Sequence, residues 1–161
     1  MPASKKEQIL EGFIAKLQKI TSANGYDTNV NKVYADEIPM GLDLDEQELP
    51  AIFVIGIDDK FTHKNGWKYC EWLIELQLVH NRVDDATMHR FVRDVARVLY
   101  YDNSLGSGVP NSWRGPQPLG IHESVYLIED LNIEEDLNLI EANRCFVYNW
   151  VIKYQTRPGD L

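Results

Sequence analysis

Between residues 84 and 101, Met88, Phe91, Val92, Val95, Val98 and Leu99 recur at spacings of three and four, so a single helical face carries six large apolar side chains. A stripe of that width is stable only when it is covered, and it demands an apolar surface of matching size elsewhere in the chain. Asp84 and Asp85 stand at the start, where carboxylates cap free backbone donors and complement the helix dipole. The segment Tyr100-Tyr101-Asp102-Asn103-Ser104-Leu105-Gly106 ends the helix, with Leu105-Gly106 marking the stop.

The covering surface reads as a sheet. Residues 50–57 contain Ala51-Ile52-Phe53-Val54-Ile55-Gly56-Ile57, a continuous apolar run of the kind that is covered on both faces, and the best candidate for a central strand. Residues 58–66 are polar and are expected to turn the chain. From 67 to 80 alternation returns, with Cys70, Trp72, Ile74, Leu76 and Leu78 on one face and Glu71, Glu75 and Gln77 on the other. Residues 124–133 and 142–155 read as closing strands joined by an acidic turn at Glu134-Glu135-Asp136, and residues 28–34 as a short first strand around Val30 and Val33. A first helix is predicted over 5–23. Ser4 with Glu7 forms a capping box, Asn24-Gly25 ends the helix, and Ile9, Leu10, Phe13, Ile14, Leu17 and Ile20 form its apolar stripe. The acidic stretch 35–48 and the segment 102–120, with four glycines and three prolines, are expected to be loops. The order helix, three strands, helix, two strands predicts an α+β fold: a mixed, largely antiparallel sheet of about five strands with two main helices packed on one face, in a single domain spanning 1–161.

Sixteen basic and 25 acidic side chains give a formal net charge of -9, which repels phosphates and disfavours tight binding to DNA, RNA or anionic lipid. The first residues, Met1-Pro2-Ala3-Ser4-Lys5-Lys6, lead into Glu7, Gln8 and Glu11 and do not read as a signal peptide, and no apolar stretch is long enough to span a bilayer. The two cysteines, Cys70 and Cys145, sit in strand-like sequence and read as reduced buried thiols of a cytoplasmic protein; a disulfide requires the two strands to be neighbours.

The search for chemistry nominates no catalytic, cofactor-binding or metal-binding residue. His63, His80, His89 and His122 are not paired at ligand spacing, and His122-Glu123 lacks the second histidine of a zinc peptidase helix. Leu105-Gly106-Ser107-Gly108 lacks the lysine of a phosphate loop, and no serine sits in a nucleophile elbow. The acid pairs Asp58-Asp59, Asp84-Asp85 and Glu129-Asp130 read as solvated. A metal-dependent nuclease built on Asp59 and Glu75 is an alternative that the anionic surface disfavours. A generic protein-binding module of α+β fold is another. Trp113-Arg114, in the glycine-rich loop, is a contact-forming pair of the type enriched at interfaces.

Taken in order, these elements resemble the bacteriophage tail terminator family, also called tail completion or head-tail joining proteins. The resemblance is distributed over most of the chain: a first helix closing on Asn24-Gly25-Tyr26, the strand from Val30 to Val33, then Glu48-Leu49-Pro50-Ala51-Ile52-Phe53-Val54 as a proline-led strand. A long strand follows, then the helix from Asp85 to Tyr101 with its Asp102-Asn103-Ser104-Leu105-Gly106 exit, and Val151-Ile152-Lys153-Tyr154 close to the C-terminus. The exit departs from the family, which often carries a proline and paired glycines after the leucine. The resemblance implies a non-enzymatic virion subunit, assembled in the host cytoplasm, that forms a homo-oligomeric ring of typically six copies in the tail or neck. Such a ring binds the end of the tail tube protein, stops tube growth and meets the head-tail connector or adaptor. It implies no cofactor and no membrane, with DNA passing through the ring without tight binding. On this reading Asp43, Asp45, Glu46, Asp58 and Asp59 are candidate channel-lining acids, and Leu105, Trp113 and Arg114 are candidate partner contacts.

Overall fold

The computed structural model describes residues 4–35, 46–100, 124–136 and 143–157. The elements in chain order are α1 (Lys5–Leu17), β1 (Lys32–Tyr34), β2 (Ala51–Lys64), β3 (Trp67–Asn81), α2 (Asp85–Tyr100), β4 (Val125–Asp136) and β5 (Asn143–Thr156). The strands form one sheet in the order β1-β2-β3-β5-β4. β1 runs parallel to β2, and every other pairing is antiparallel. The α+β expectation holds in this described architecture.

One face of the sheet carries the main core. Ile52 and Val54 of β2, Trp72, Ile74, Leu76 and Leu78 of β3, and Tyr148, Trp150 and Ile152 of β5 meet Ile9, Phe13 and Leu17 of α1 and Met88, Phe91, Val95, Val98 and Leu99 of α2 in a single buried cluster. Both helices therefore lie on the same face, as the two apolar stripes require. Lys16, almost fully buried, donates from its Nζ to the Leu99 carbonyl at 3.5 Å and ties α1 to the C-terminal turn of α2. The opposite face has a smaller buried cluster at one end, formed by Leu49, Ala51, Phe53, Val79 and Cys145, where Tyr34 stacks on Phe53 at 4.8 Å.

Several boundaries differ from the sequence reading. α1 stops at Leu17 rather than near 23, and a separate single turn, Ser22–Asn24, ends on Gly25 in left-handed geometry; the capping box at Ser4 and Glu7 is present. β1 is three residues long, not seven. The polar stretch 58–64 continues β2, and the chain reverses only at Asn65 and Gly66, whose φ values of 53° and 78° suit a two-residue type I′ turn. Glu134, Glu135 and Asp136 belong to β4 and pair with Val147, Phe146 and Cys145 instead of turning the chain. β2 is not central: β1 pairs with it only at Ala51–Phe53, and β3 occupies the middle of the sheet.

Cys70 and Cys145 lie in different buried clusters, on β3 and β5, at registers opposite Tyr154 and Val79. Both are free. Burial pushes both thiols up, Cys145 to about 12, so neither is a nucleophilic thiolate near neutrality.

Candidate functional site

The surface is informative where it breaks the usual rules for strands. Six large hydrophobic side chains are exposed among the described residues: Ile57, Phe61 and Trp67 on the β2–β3 hairpin, and Tyr126, Leu131 and Ile133 on β4. Three of them follow from ladder irregularities. Pairing slips between Gly56 and Asp58, between Val125 and Leu127, and between Asp130 and Asn132, so Ile57, Tyr126 and Leu131 are the extra residues. Bulges re-aim side chains, and solitary sheets commonly blunt their open edges with charged side chains. Here the bulges present apolar groups, and Ile57 and Leu131 are each more than half exposed.

The tip of the hairpin and the second half of β4 carry opposite charge, although Asp58, Asp59, Glu71 and Glu75 lie elsewhere on the hairpin. Residues 60–68 of the hairpin contain Lys60, Lys64 and Lys68 and no carboxylate, whereas residues 129–136 of β4 contain Glu129, Asp130, Glu134, Glu135 and Asp136 and no basic residue. Arg157, at the end of β5, adds its guanidinium over the Trp67 ring at 5.7 Å. Between the two elements, on the face away from the helices, lies a shallow groove of about 340 Å³ lined by Leu73, Val151, Lys60, Lys153, Glu71 and Glu129 among others.

The acid pairs read as solvated are in large part structural. Asp84 accepts from the Thr87 backbone N–H at 2.9 Å and from its hydroxyl at 2.5 Å, which caps α2 and holds the carboxyl below its ordinary range. Asp85 joins Glu135 in binding Arg144, whose Nε donates to Glu135 at 2.6 Å while another guanidinium nitrogen donates to the Val83 carbonyl at 3.1 Å. The Arg144 hydrogen bond lowers the Glu135 carboxyl. Asp130 accepts from the Tyr100 hydroxyl at 2.6 Å and the Tyr148 hydroxyl at 2.7 Å, linking α2, β4 and β5. Burial, then the Asp130 hydrogen bond, raises both phenols, Tyr100 to about 12.

Of the candidate channel acids, Asp58 and Asp59 are the two whose side chains fall within the described residues, and they point to opposite faces of the sheet. Asp43 and Asp45 lie outside the described residues, as do Leu105, Trp113, Arg114 and His122; Glu46 opens the single turn Glu46–Glu48. Asp58 lies on the open face beside the groove, whereas Asp59, one residue on, faces α1 and accepts from Lys6 at 2.7 Å. The period-two alternation of a strand separates them. The same alternation removes the nuclease pair: Asp59 is opposite Trp72 on the helix face, while Glu75 is opposite Ile55 and Asn149 on the other, so the two cannot hold one ion.

Sequence reading missed three features. Asn65-Gly66 between two strand-like runs is a strong hairpin signal, and it was readable. Bulged Ile57 and Leu131 have no local signature. Asp94 sits within the apolar stripe of α2, fully buried, and accepts the Thr28 backbone N–H at 2.8 Å; that partner is 66 residues away and invisible to any local pattern.

No protein-family model matches the sequence, and no curated protein matches it. Among solved structures, the chain has a weak likeness to a chain of the virion of the native gene transfer agent (GTA) particle, with a TM-score of 0.48 and 11% identity, covering 95% of this chain and 96% of that one.

Proposed function

We propose that the protein is a structural virion subunit of the tail terminator kind. It forms a ring of about six copies at the head-proximal end of the tail tube, stops tube polymerisation and joins the tail to the head connector. It acts as a scaffold, not an enzyme, and works without a cofactor. The observation that carries this reading is the order and wording of the elements. A helix closing near Asn24-Gly25, a Pro50-led strand, a long antiparallel hairpin strand, the α2 stripe and a last strand near residue 155 follow the family plan, on a sheet with both helices on one side.

The surface supports the same reading. Exposed apolar groups on a hairpin and on a border strand are costly on a lone subunit and useful on one that is covered during assembly. The net charge of -9 supports passage of DNA without retention.

Electron microscopy of particles made with the gene disrupted tests the proposal. Overlong tails without heads are the expected result; normal virions would remove the reading.

A further inference from the structure

We infer that copies of this chain join head to tail, with the outer edge of the β2–β3 hairpin of one copy against the outer edge of β4 of the next. The inference rests on the ring-subunit reading and specifies the surfaces that such a ring would use.

Four observations carry it. The first is that each surface is open in the way strand addition requires. β1 covers β2 only at Ala51–Phe53, so the edge from 54 to 64 has no strand partner among the described residues, and β4 pairs only with β5. The second is position and direction. The two edges are at opposite ends of the sheet, so joining them is heterologous and repeats with the same sense at each step, which closes into a ring when the rotation allows. β2 is antiparallel to β3, β3 to β5 and β5 to β4, so β4 runs opposite to β2. A sheet continued from copy to copy in one orientation therefore sets the two edges antiparallel, the more favourable pairing. Following the ladders across the sheet, Asp58 is level with Leu73, Val151 and Glu129, and Phe53 with Gln77, Val147 and Glu134, so a stagger of six rungs between copies, toward the hairpin tip, sets Glu129 beside Lys64 and Glu134 beside Lys60.

The third observation is apolar content. All six exposed large hydrophobics of the described residues lie on these two elements, three on each, and a protected solitary edge would carry charge at its bulges instead of Ile57 and Leu131. The fourth is charge. The hairpin offers Lys60 and Lys64, β4 offers Glu129 and Glu134, all four are exposed, and none makes an ion pair with a described residue. Two copies of one flank repel, while opposite flanks attract, so the charge pattern selects head-to-tail contact over a two-fold dimer.

Charge reversal tests this directly. Sedimentation of the full-length protein at high concentration should show a closed oligomer. The double variant Lys60→Glu with Lys64→Glu should sediment as a monomer, and so should Glu129→Lys with Glu134→Lys, each keeping the wild-type circular dichroism and melting temperature. Mixed one to one, the two variants should recover the oligomer, because each reversed flank then meets its complement on the other chain. The inference is overturned if the wild-type protein remains monomeric, if either folded variant assembles like wild type, or if the folded variants fail to recover assembly on mixing. Failure here and failure of the functional reading are distinguishable. A ring held through other surfaces with overlong tails on gene disruption removes only the joint; recovery by mixing with normal virions on gene disruption removes only the tail-terminator role.

Discussion

Asp94 shows how a single side chain positions a whole segment. Its carboxylate is fully buried and accepts the Thr28 backbone N–H, Arg97 lies 3.8 Å away across the same helix turn, and the Arg97 guanidinium covers the Tyr26 ring at 4.9 Å. Arg93 of the preceding position pairs with Asp27. Together they hold residues 26–28 against α2, where the chain turns from α1 toward β1. Replacing Asp94 by alanine leaves the Thr28 amide buried without its acceptor, a loss of about 1–3 kcal/mol. Asp94→Asn keeps an acceptor oxygen and should cost less than half as much in urea denaturation; equal losses would show that charge, not the hydrogen bond, is what matters. Two other carboxylates contribute to the acid sensitivity of stability. Asp84, bonded to Thr87, and Glu135, bonded to Arg144, both have folded-state pKa values below their ordinary ones. A depressed pKa means the folded state binds the proton less readily than the unfolded chain does. The resulting stabilisation is complete above the unfolded values and is lost as the pH falls from about 4 down through the lowered folded values. Urea midpoints measured from pH 7 to pH 3 should decline below pH 5, and Asp84→Asn and Glu135→Gln should each flatten that decline. An unchanged decline in both variants would assign the acid sensitivity to other groups.

At the scale of elements, the β2–β3 hairpin shows where packing overrides pattern. A β-carbon on Gly56 would lie 2.9 Å from the Trp72 Nε1 and 3.1 Å from another ring atom, so the bare backbone at the bulge is what allows the indole to lie across β2. The Lys6 ammonium lies over the same indole at 4.7 Å to its centroid. Gly56→Ala therefore forces the indole to shift, and overpacking of this kind costs about 1–3 kcal/mol. A melting temperature unchanged from wild type would mean that Trp72 has room to give. The hairpin also measures what could be read from the sequence. The α2 stripe, the alternation of β3 and the capping box at Ser4 were legible because each is a periodic or local signal. β2 beyond Ile57 was not, since Asp58, Asp59, Lys60, Thr62 and Lys64 look like a turn until their ladder to β3 is known. Glu134, Glu135 and Asp136 misled for the same reason: acidic residues suit a turn, but on a border strand Glu134 stays exposed and Glu135 binds Arg144 while the backbone of all three pairs with β5. The surfaces that matter for assembly were the least legible, because bulges that expose Ile57 and Leu131 are set by pairing across the sheet and leave no trace in a single strand.

For the whole molecule, the two charge effects act over different distances and in opposite directions. Each copy carries a net charge of -9, so approaching copies repel as bodies. The lysines of the hairpin and the carboxylates of β4 attract, but only across the contact. Salt separates these effects, since the Debye length is about 10 Å at 0.1 M and about 3 Å at 1 M. Moderate salt screens the repulsion between whole subunits while leaving close ion pairs at the joint largely intact. Salt near 1 M reaches those pairs as well. Assembly of the wild-type protein should therefore strengthen from very low ionic strength to about 0.1–0.2 M and weaken again toward 1 M. The concentration at which half the subunits are assembled, followed by light scattering across that range, should pass through a minimum. The one-to-one mixture of the Lys60→Glu, Lys64→Glu and Glu129→Lys, Glu134→Lys variants keeps complementary contacts, with the charges exchanged at every second joint, so it should reproduce the minimum. A joint held mainly by Ile57, Phe61, Leu131 and the other exposed apolar groups would behave differently, strengthening steadily with salt, because apolar association is not screened. That outcome would keep the contact surfaces and remove charge as the feature that selects head-to-tail order.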